Sequence, residues 1–204
     1  MFVERTSKIL QLFIPAIWNI KDGTRSIYLT FDDGPCPEVT PKVLDILDKY
    51  NIKATFFCVG DNVRRHPQIF DLLIKNGHRV GNHTMHHIKG FNTSCNEYLR
   101  DVEEAGTVID SNLFRPPYGR ITLRQLKELK KRYKVIMWDV ITRDYNPRLK
   151  PDKCLSIVKK FSKPGSIIIF HDSQKSAANM LTALPMAILV CSQLMRAEVR
   201  KRLS

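Results

Sequence analysis

The chain is poor in the features that mark several large protein classes. It has only 5 cysteines in 204 residues, and Cys36, Cys58, Cys95, Cys154 and Cys191 form no C-x-x-C pair. An odd, scattered set excludes a disulfide framework or zinc knuckle and leans toward a reducing compartment. Cys58, inside the apolar run 54–59, reads as a small buried hydrophobe. No linker, low-complexity tract or internal repeat is visible, so one domain is expected at this length. Acids are scarce: 20 Asp and Glu face 33 Lys and Arg, for a net charge of +13. That imbalance favours polyanions, but no aromatics are interleaved with the basic residues as single-strand binding requires. The basic stretch 120–134 and the tail residues Arg196, Arg200, Lys201 and Arg202 read as a solvated helix face and a frayed end. The expectation is no specific nucleic-acid partner, and at most weak contact with a membrane surface or anionic polymer.

Long apolar runs are also missing near the start. Residues 8–18 are apolar, but the segment is too short to span a bilayer and Pro15 interrupts it. Glu4 and the absence of a small-residue cleavage site oppose a signal peptide. Residues 1–25 are therefore expected to pack on a domain formed by 26–204, or to act as a weak interfacial anchor. The expected location is cytoplasmic or peripheral to the membrane. Nothing in the pattern specifies an oligomer.

What remains is an ordinary soluble composition, 43% hydrophobic and 26% charged, with apolar β-rich runs alternating with helical periodicity. Strands are expected at 26–31, 54–59, 78–82, 112–115, 134–141 and 166–171. Helices are expected at 40–50, 61–76, 96–110, 121–132 and 151–162, and from about 176. Thr40-Pro41 has the form of an N-cap with proline at the first helical position, Pro151 opens another helix, and Gly77 closes one. The fold class is α/β, a parallel sheet with helical cover, open or closed into a barrel. A seventh strand has one candidate, residues 186–191, which reads equally well as helix.

In such folds functional groups gather at the C-terminal ends of strands. Asp32 and Asp33 end the first strand at Gly34-Pro35, a turn able to direct both carboxylates to one site. His83 ends the third, the run from Arg115 to Tyr118 the fourth, Asp139 and Asp144 the fifth, and His171 and Asp172 the sixth. Two adjacent carboxylates repel unless a cation is near. His83-Thr84-Met85-His86-His87 offers two imidazoles at i and i+4, sharing one face of a helical turn, with His83 and His86 as the competing pair. Two histidines, one carboxylate and an open position describe a hydrolytic zinc site. The same donors with more open positions suit non-haem iron. His66 and His78 read as a loop residue and a structural histidine.

These motifs, taken in order, resemble the polysaccharide deacetylases of the NodB-homology type, carbohydrate esterase family 4. Thr30-Phe31-Asp32-Asp33-Gly34 matches the first motif, His83 to His87 the second (H-[S/T]-x-x-H), and Arg115-Pro116-Pro117-Tyr118 the third. Asp144-Tyr145 matches the fourth and Ile169-Phe170-His171 the fifth. The resemblance covers about residues 26–172. It implies a distorted (β/α) barrel of six or seven parallel strands and a divalent-metal hydrolase, zinc by default, that removes acetyl groups from N-acetylated sugars. By the same resemblance Asp33, His83 and His87 are the metal ligands and Asp32 is the general base, partnered by Arg115. His171 is the general acid tuned by Asp144, and Tyr118 gives a backbone N–H to the oxyanion. Tyr145 stands where the family more often has Trp, and Ile169 replaces Leu in the acetyl-methyl pocket, a nearly volume-neutral change. On residues alone, Asp139 and Asp172 rival Asp144 as the partner of His171, Asp172 reads better as a turn or cap residue, and Trp138 reads better as core than as a sugar platform. The competing classes are a hydrolase of a non-sugar C–N bond, a basic nucleic-acid- or glycan-binding domain without catalysis, and an iron oxygenase, whose usual antiparallel jelly roll the βαβα order opposes.

Overall fold

In a computed structural model, residues 4–21, 23 and 25–203 are described, with side chains omitted for 8–10 and 196–203. The side chains of Arg196, Arg200, Lys201 and Arg202 thus lie outside the described residues. The elements run α1 (Lys8–Phe13), β1 (Tyr28–Asp32), α2 (Thr40–Lys49), β2 (Thr55–Cys58), α3 (Gly60–Arg65), α4 (Pro67–Lys75), β3 (Arg79–Asn82) and α5 (Cys95–Gly106). They continue with β4 (Leu113–Phe114), α6 (Leu123–Leu129), β5 (Lys134–Val135), β6 (Val140–Ile141), α7 (Pro151–Phe161), β7 (Ile167–His171) and α8 (Ala177–Leu203).

The strands form one seven-stranded sheet in the order β5-β4-β3-β2-β1-β7-β6. All its ladders are parallel, which is incompatible with a jelly roll. β1 lies near the middle, and its run is apolar because both of its faces are covered. Leu29 and Phe31 join the main core toward the helices, where the Phe31 ring stacks on Phe56 at 4.9 Å and on Phe170 at 5.9 Å. Thr30 and Asp32 face the barrel interior and meet Arg115.

The seventh strand does not come from 186–191, which are part of α8. It comes from the stretch expected as one strand at 134–141, which breaks in two. Residues 134–135 pair with β4, and 140–141 pair with β7. Both sheet edges are therefore successive parts of one chain segment, and the intervening residues curl the sheet into a distorted barrel. The N-terminal segment packs into this seam. Ile17 N donates to Val135 O, Met137 N donates to Ile17 O, and Ile141 N donates to Glu4 O. Side chains at the chain start are pinned too: Glu4 lies 3.3 Å from Lys153 and 3.6 Å from Arg143.

Other boundaries shift for local reasons. The helix expected at 61–76 divides at Pro67, which cannot donate into the preceding turn. Gly77, at φ +73°, ends α4 as a glycine should. Thr40 is the first residue of α2 rather than its cap. Its hydroxyl accepts from Cys36 N and donates to Asp172. The stretch Ala177–Met195 has the length and hydropathy of a membrane span, yet Met180, Leu184, Ala187 and Ile188 are buried in the main core.

Candidate active site

A cleft of about 500 Å³ opens at the C-terminal ends of the strands, lined by Asp32, Asp33, His83, His87, Tyr118, Trp138, Ile141, Tyr145, Ile169 and His171 among others. Every residue singled out in the sequence as a ligand, acid, base or substrate contact is there, except that Arg115 and Asp144 stand just behind it. Arg115 and Asp144 are fully buried.

Asp33, His83 and His87 each offer one donor atom, and these atoms lie within 4.8 Å of one another. His87 Nε2 is 3.1 Å and His83 Nε2 3.7 Å from Asp33 Oδ1. The two histidines do not converge on a helical turn: residues 83–89 are non-helical. They converge because Thr84 and His87 adopt positive φ, 67° and 54°. Asp33, at φ 81°, likewise breaks the strand alternation that would set it opposite Asp32. Of the six non-glycine residues at positive φ among the described residues, five (Asp33, Thr84, His87, Tyr118 and Arg143) are in or beside the site. Such strain persists only where surrounding structure imposes it. His86 is directed away, its Nδ1 2.6 Å from Asp101 Oδ2. The competing His83–His86 pair is therefore not formed.

The donor set fits a divalent cation. His83 Nδ1 is 2.7 Å from the Arg115 carbonyl and must donate to it, which leaves the Nε2 lone pair facing Asp33. Burial pushes the His83 pKa down to about 4, so the ring is neutral and free to ligate at neutral pH. Burial works against the Asp33 anion, but the His87 hydrogen bond and the His171 charge outweigh it and hold the carboxyl well below its usual range.

Asp32 is next to this cluster and is held by Arg115. Arg115 Nη1 donates to Asp32 Oδ1 at 2.6 Å and to Thr30 Oγ1 at 2.8 Å. Its Nε donates to Ile136 O and its Nη2 to Met137 O, at 3.1 and 3.0 Å. The guanidinium also covers the Phe57 ring at 4.1 Å. One arginine thus satisfies a buried carboxylate and the backbone of the seam between β5 and β6. Arg115→Met leaves the Asp32 charge and both carbonyls unpaired, and is expected to lower unfolding stability by about 3–5 kcal/mol. Urea titration of the variant measures this, and a loss below about 1 kcal/mol would contradict the reading.

On the opposite flank, His171 Nδ1 is 2.7 Å from Asp144 Oδ1, and the same carboxylate accepts from His171 N at 2.8 Å. Burial lowers the His171 pKa, but Asp144, then Asp33 and Asp32, reverse that and push it up to about 9. The rival acids are employed elsewhere. Asp139 accepts from Ser166 Oγ and Ile167 N. Asp172 is neither a helix cap nor a partner of the His171 imidazole. It accepts from Gly34 N and the Thr40 hydroxyl, fastening the Asp33 loop to the end of β7, and burial raises its pKa to about 8. Gly34 is required there, since a Cβ would collide with the Asp172 carboxylate. The Pro117–Gly119 3-10 turn leaves Tyr118 N–H without a hydrogen bond among the described residues. The Tyr118 ring lies 4.7 Å from His87, and the Tyr145 ring meets His171 edge-on at 5.0 Å.

Several cleft residues were not legible as such. Trp138, read as core, lines the cleft and packs edge-on against Trp18 at 6.4 Å. Lys89, Arg120, Ser173 and Lys175 also line it. Arg120 belongs to the loop before α6 rather than to a solvated helix face, and no sequence signal separates it from other surface cations.

The same constellation recurs among known proteins. The sequence pattern described as "Polysaccharide deacetylase" matches residues 19–135, so Asp144 and His171 lie beyond the matched stretch. A peptidoglycan-N-acetylglucosamine deacetylase of Bacillus cereus is 35% identical over 176 residues, 82% of each chain. A chitooligosaccharide deacetylase of Bradyrhizobium sp. is 37% identical over 158 residues, covering 74% of this chain and 72% of the relative. The crystal structure of a peptidoglycan N-acetylglucosamine deacetylase superposes with a TM-score of 0.85 at 29% identity, covering 92% of this chain and 91% of the other. With the barrel and the cleft residues, these matches establish that the chain belongs to the polysaccharide deacetylase family, the NodB-homology group of carbohydrate esterase family 4, and is a hydrolase of that family.

Proposed function

We propose that the protein removes N-acetyl groups from a glycan, peptidoglycan or a chitin-like oligosaccharide, releasing acetate and a free amine. The observation that carries this reading is the convergence of the Asp33, His83 and His87 donors between two charged pairs, Asp32–Arg115 and His171–Asp144. Asp33, His83 and His87 would hold a divalent cation, and zinc best matches two imidazoles and one carboxylate with an open position. When bound, that ion supplies Lewis acidity toward the acetyl oxygen and lowers the pKa of water.

The chain's own groups do the rest. Asp32, oriented by Arg115, takes a proton from the attacking water at its free oxygen. The free Tyr118 N–H donates to the acetyl oxygen as charge develops there, worth about 3 kcal/mol by analogy with other oxyanion donors. Protonated His171, oriented by Asp144, gives its proton to the leaving nitrogen, without which an amine departs poorly. Ile169 and Tyr145 wall the place of the acetyl methyl.

The test is acetate release from N-acetyl oligosaccharides of graded length and from peptidoglycan fragments, with and without chelator. Release that stops on chelation and returns with zinc is expected. No release from any of them would overturn the reading.

The acid also sets a pH limit. His171 must be protonated to act, so kcat/KM should fall as pH rises through about 9. Asp144→Asn removes the main charge that raises this pKa, and should move the alkaline limb down by about 1–3 pH units. An unmoved limb would remove Asp144 from that role. The sign for stability is the same. A folded pKa above the ordinary 6.5 means that the pair's contribution is complete below that value and is lost as pH climbs through about 9.

A further inference from the structure

We propose that the glycan acted on carries carboxylates beside the acetylated sugar, and that Lys89, Arg120 and Lys175 select for them; this rests on the deacetylase reading above. All three line the cleft and are exposed. They occupy two shoulders on either side of the histidine cluster. Lys89 Nζ lies 4.8 Å from the centroid of the Tyr118 ring, which itself touches His87. Lys175 Nζ lies 6.0 Å from the Tyr145 ring, which touches His171. Arg120 is tied to the Lys89 side, its carbonyl accepting from Gly90 N at 3.0 Å.

None of the three has an ion pair among the described residues, whereas Arg64, Arg65, Lys131, Arg132, Arg143 and Lys153 are each matched with an acid. The two carboxylates in the cleft are engaged below the rim, Asp32 with Arg115 and Asp33 with the histidines. The rim therefore offers positive charge with no counter-charge of its own. A neutral glycan offers these cations only uncharged hydroxyl and carbonyl acceptors in place of water, while a carboxylate on a flanking sugar or its substituent would also neutralise them.

The test compares kcat/KM on matched oligosaccharides. One is a peptide-free N-acetylated tetrasaccharide with free lactyl-ether carboxylates, and the second is its methyl ester. The third bears peptides amide-linked through those lactyl groups, so that its carboxylates are on the peptide. Preference for the free acid over its ester by about tenfold is expected at low salt, shrinking as sodium chloride is added. The ratio should fall toward one in the triple variant Lys89→Ala, Arg120→Ala, Lys175→Ala, and stay at the wild-type value in Lys159→Ala on α7. A preference for the peptide-bearing oligomer supports the inference with the acid located on the peptide. Equal use of all three overturns it and leaves the deacetylase reading intact, whereas acetate from none of them overturns both.

Discussion

Asp32→Asn should reduce kcat/KM by about 10³–10⁴-fold, within the range attributed to a positioned general base, while leaving metal content near that of the wild type. The substitution preserves shape, and the amide oxygen still accepts from Arg115 Nη1, now 2.6 Å from Asp32 Oδ1. What is lost is the capacity to accept a proton near neutral pH. Asp32 does not belong to the donor cluster, which consists of Asp33, His83 and His87. Because Asp32 is 4% exposed and its partner fully buried, the variant also leaves Arg115 without a counter-charge, and activity should be read well below its melting temperature. Metal analysis beside kinetics separates the two roles: normal deacetylation by the variant would exclude Asp32 as the base, and loss of metal would reassign it as a ligand.

His83→Ala should fail in a different way, losing metal and activity together. His83 is 2% exposed, neutral, and oriented through the Arg115 carbonyl. Removing one of three protein donors should weaken metal binding by more than about 100-fold, since loss of a mere orienting partner already costs about 10–100-fold. Activity should drop to background and return only partly at high metal concentration. Elemental analysis after gel filtration and a metal titration of acetate release measure both. Stoichiometric metal in the purified variant would refute the ligand assignment. Circular dichroism guards against misfolding, because the vacated volume is buried.

Much of this was legible in the chain, for identifiable reasons. β1 is buried on both faces and delivers two acids at its exit, so apolar run, turn and carboxylates appear together within ten residues. Parallel topology followed from the alternation of strand and helix signals, which depends on local periodicity. The break in 134–141 was not legible. It depends on Arg115 binding the carbonyls of Ile136 and Met137 and on Ile17 pairing beside them, contacts made across more than a hundred residues in one case. The i, i+4 spacing of His83 and His87 suggests a helical turn that the chain does not form, since positive φ at Thr84 and His87 leaves no mark in non-glycine residue types. The cleft cations were hidden because a surface lysine looks the same in sequence whether it faces bulk water or a binding site.

The seam has a consequence for how the molecule meets others. A curled sheet that failed to close would present two rows of unpaired amides and carbonyls, ready to template a strand from another chain. Here each row is already taken: Ile17 pairs along the β5 side and Glu4 and Thr6 along the β6 side. The backbone groups so bonded at the seam are not open to a strand from another chain.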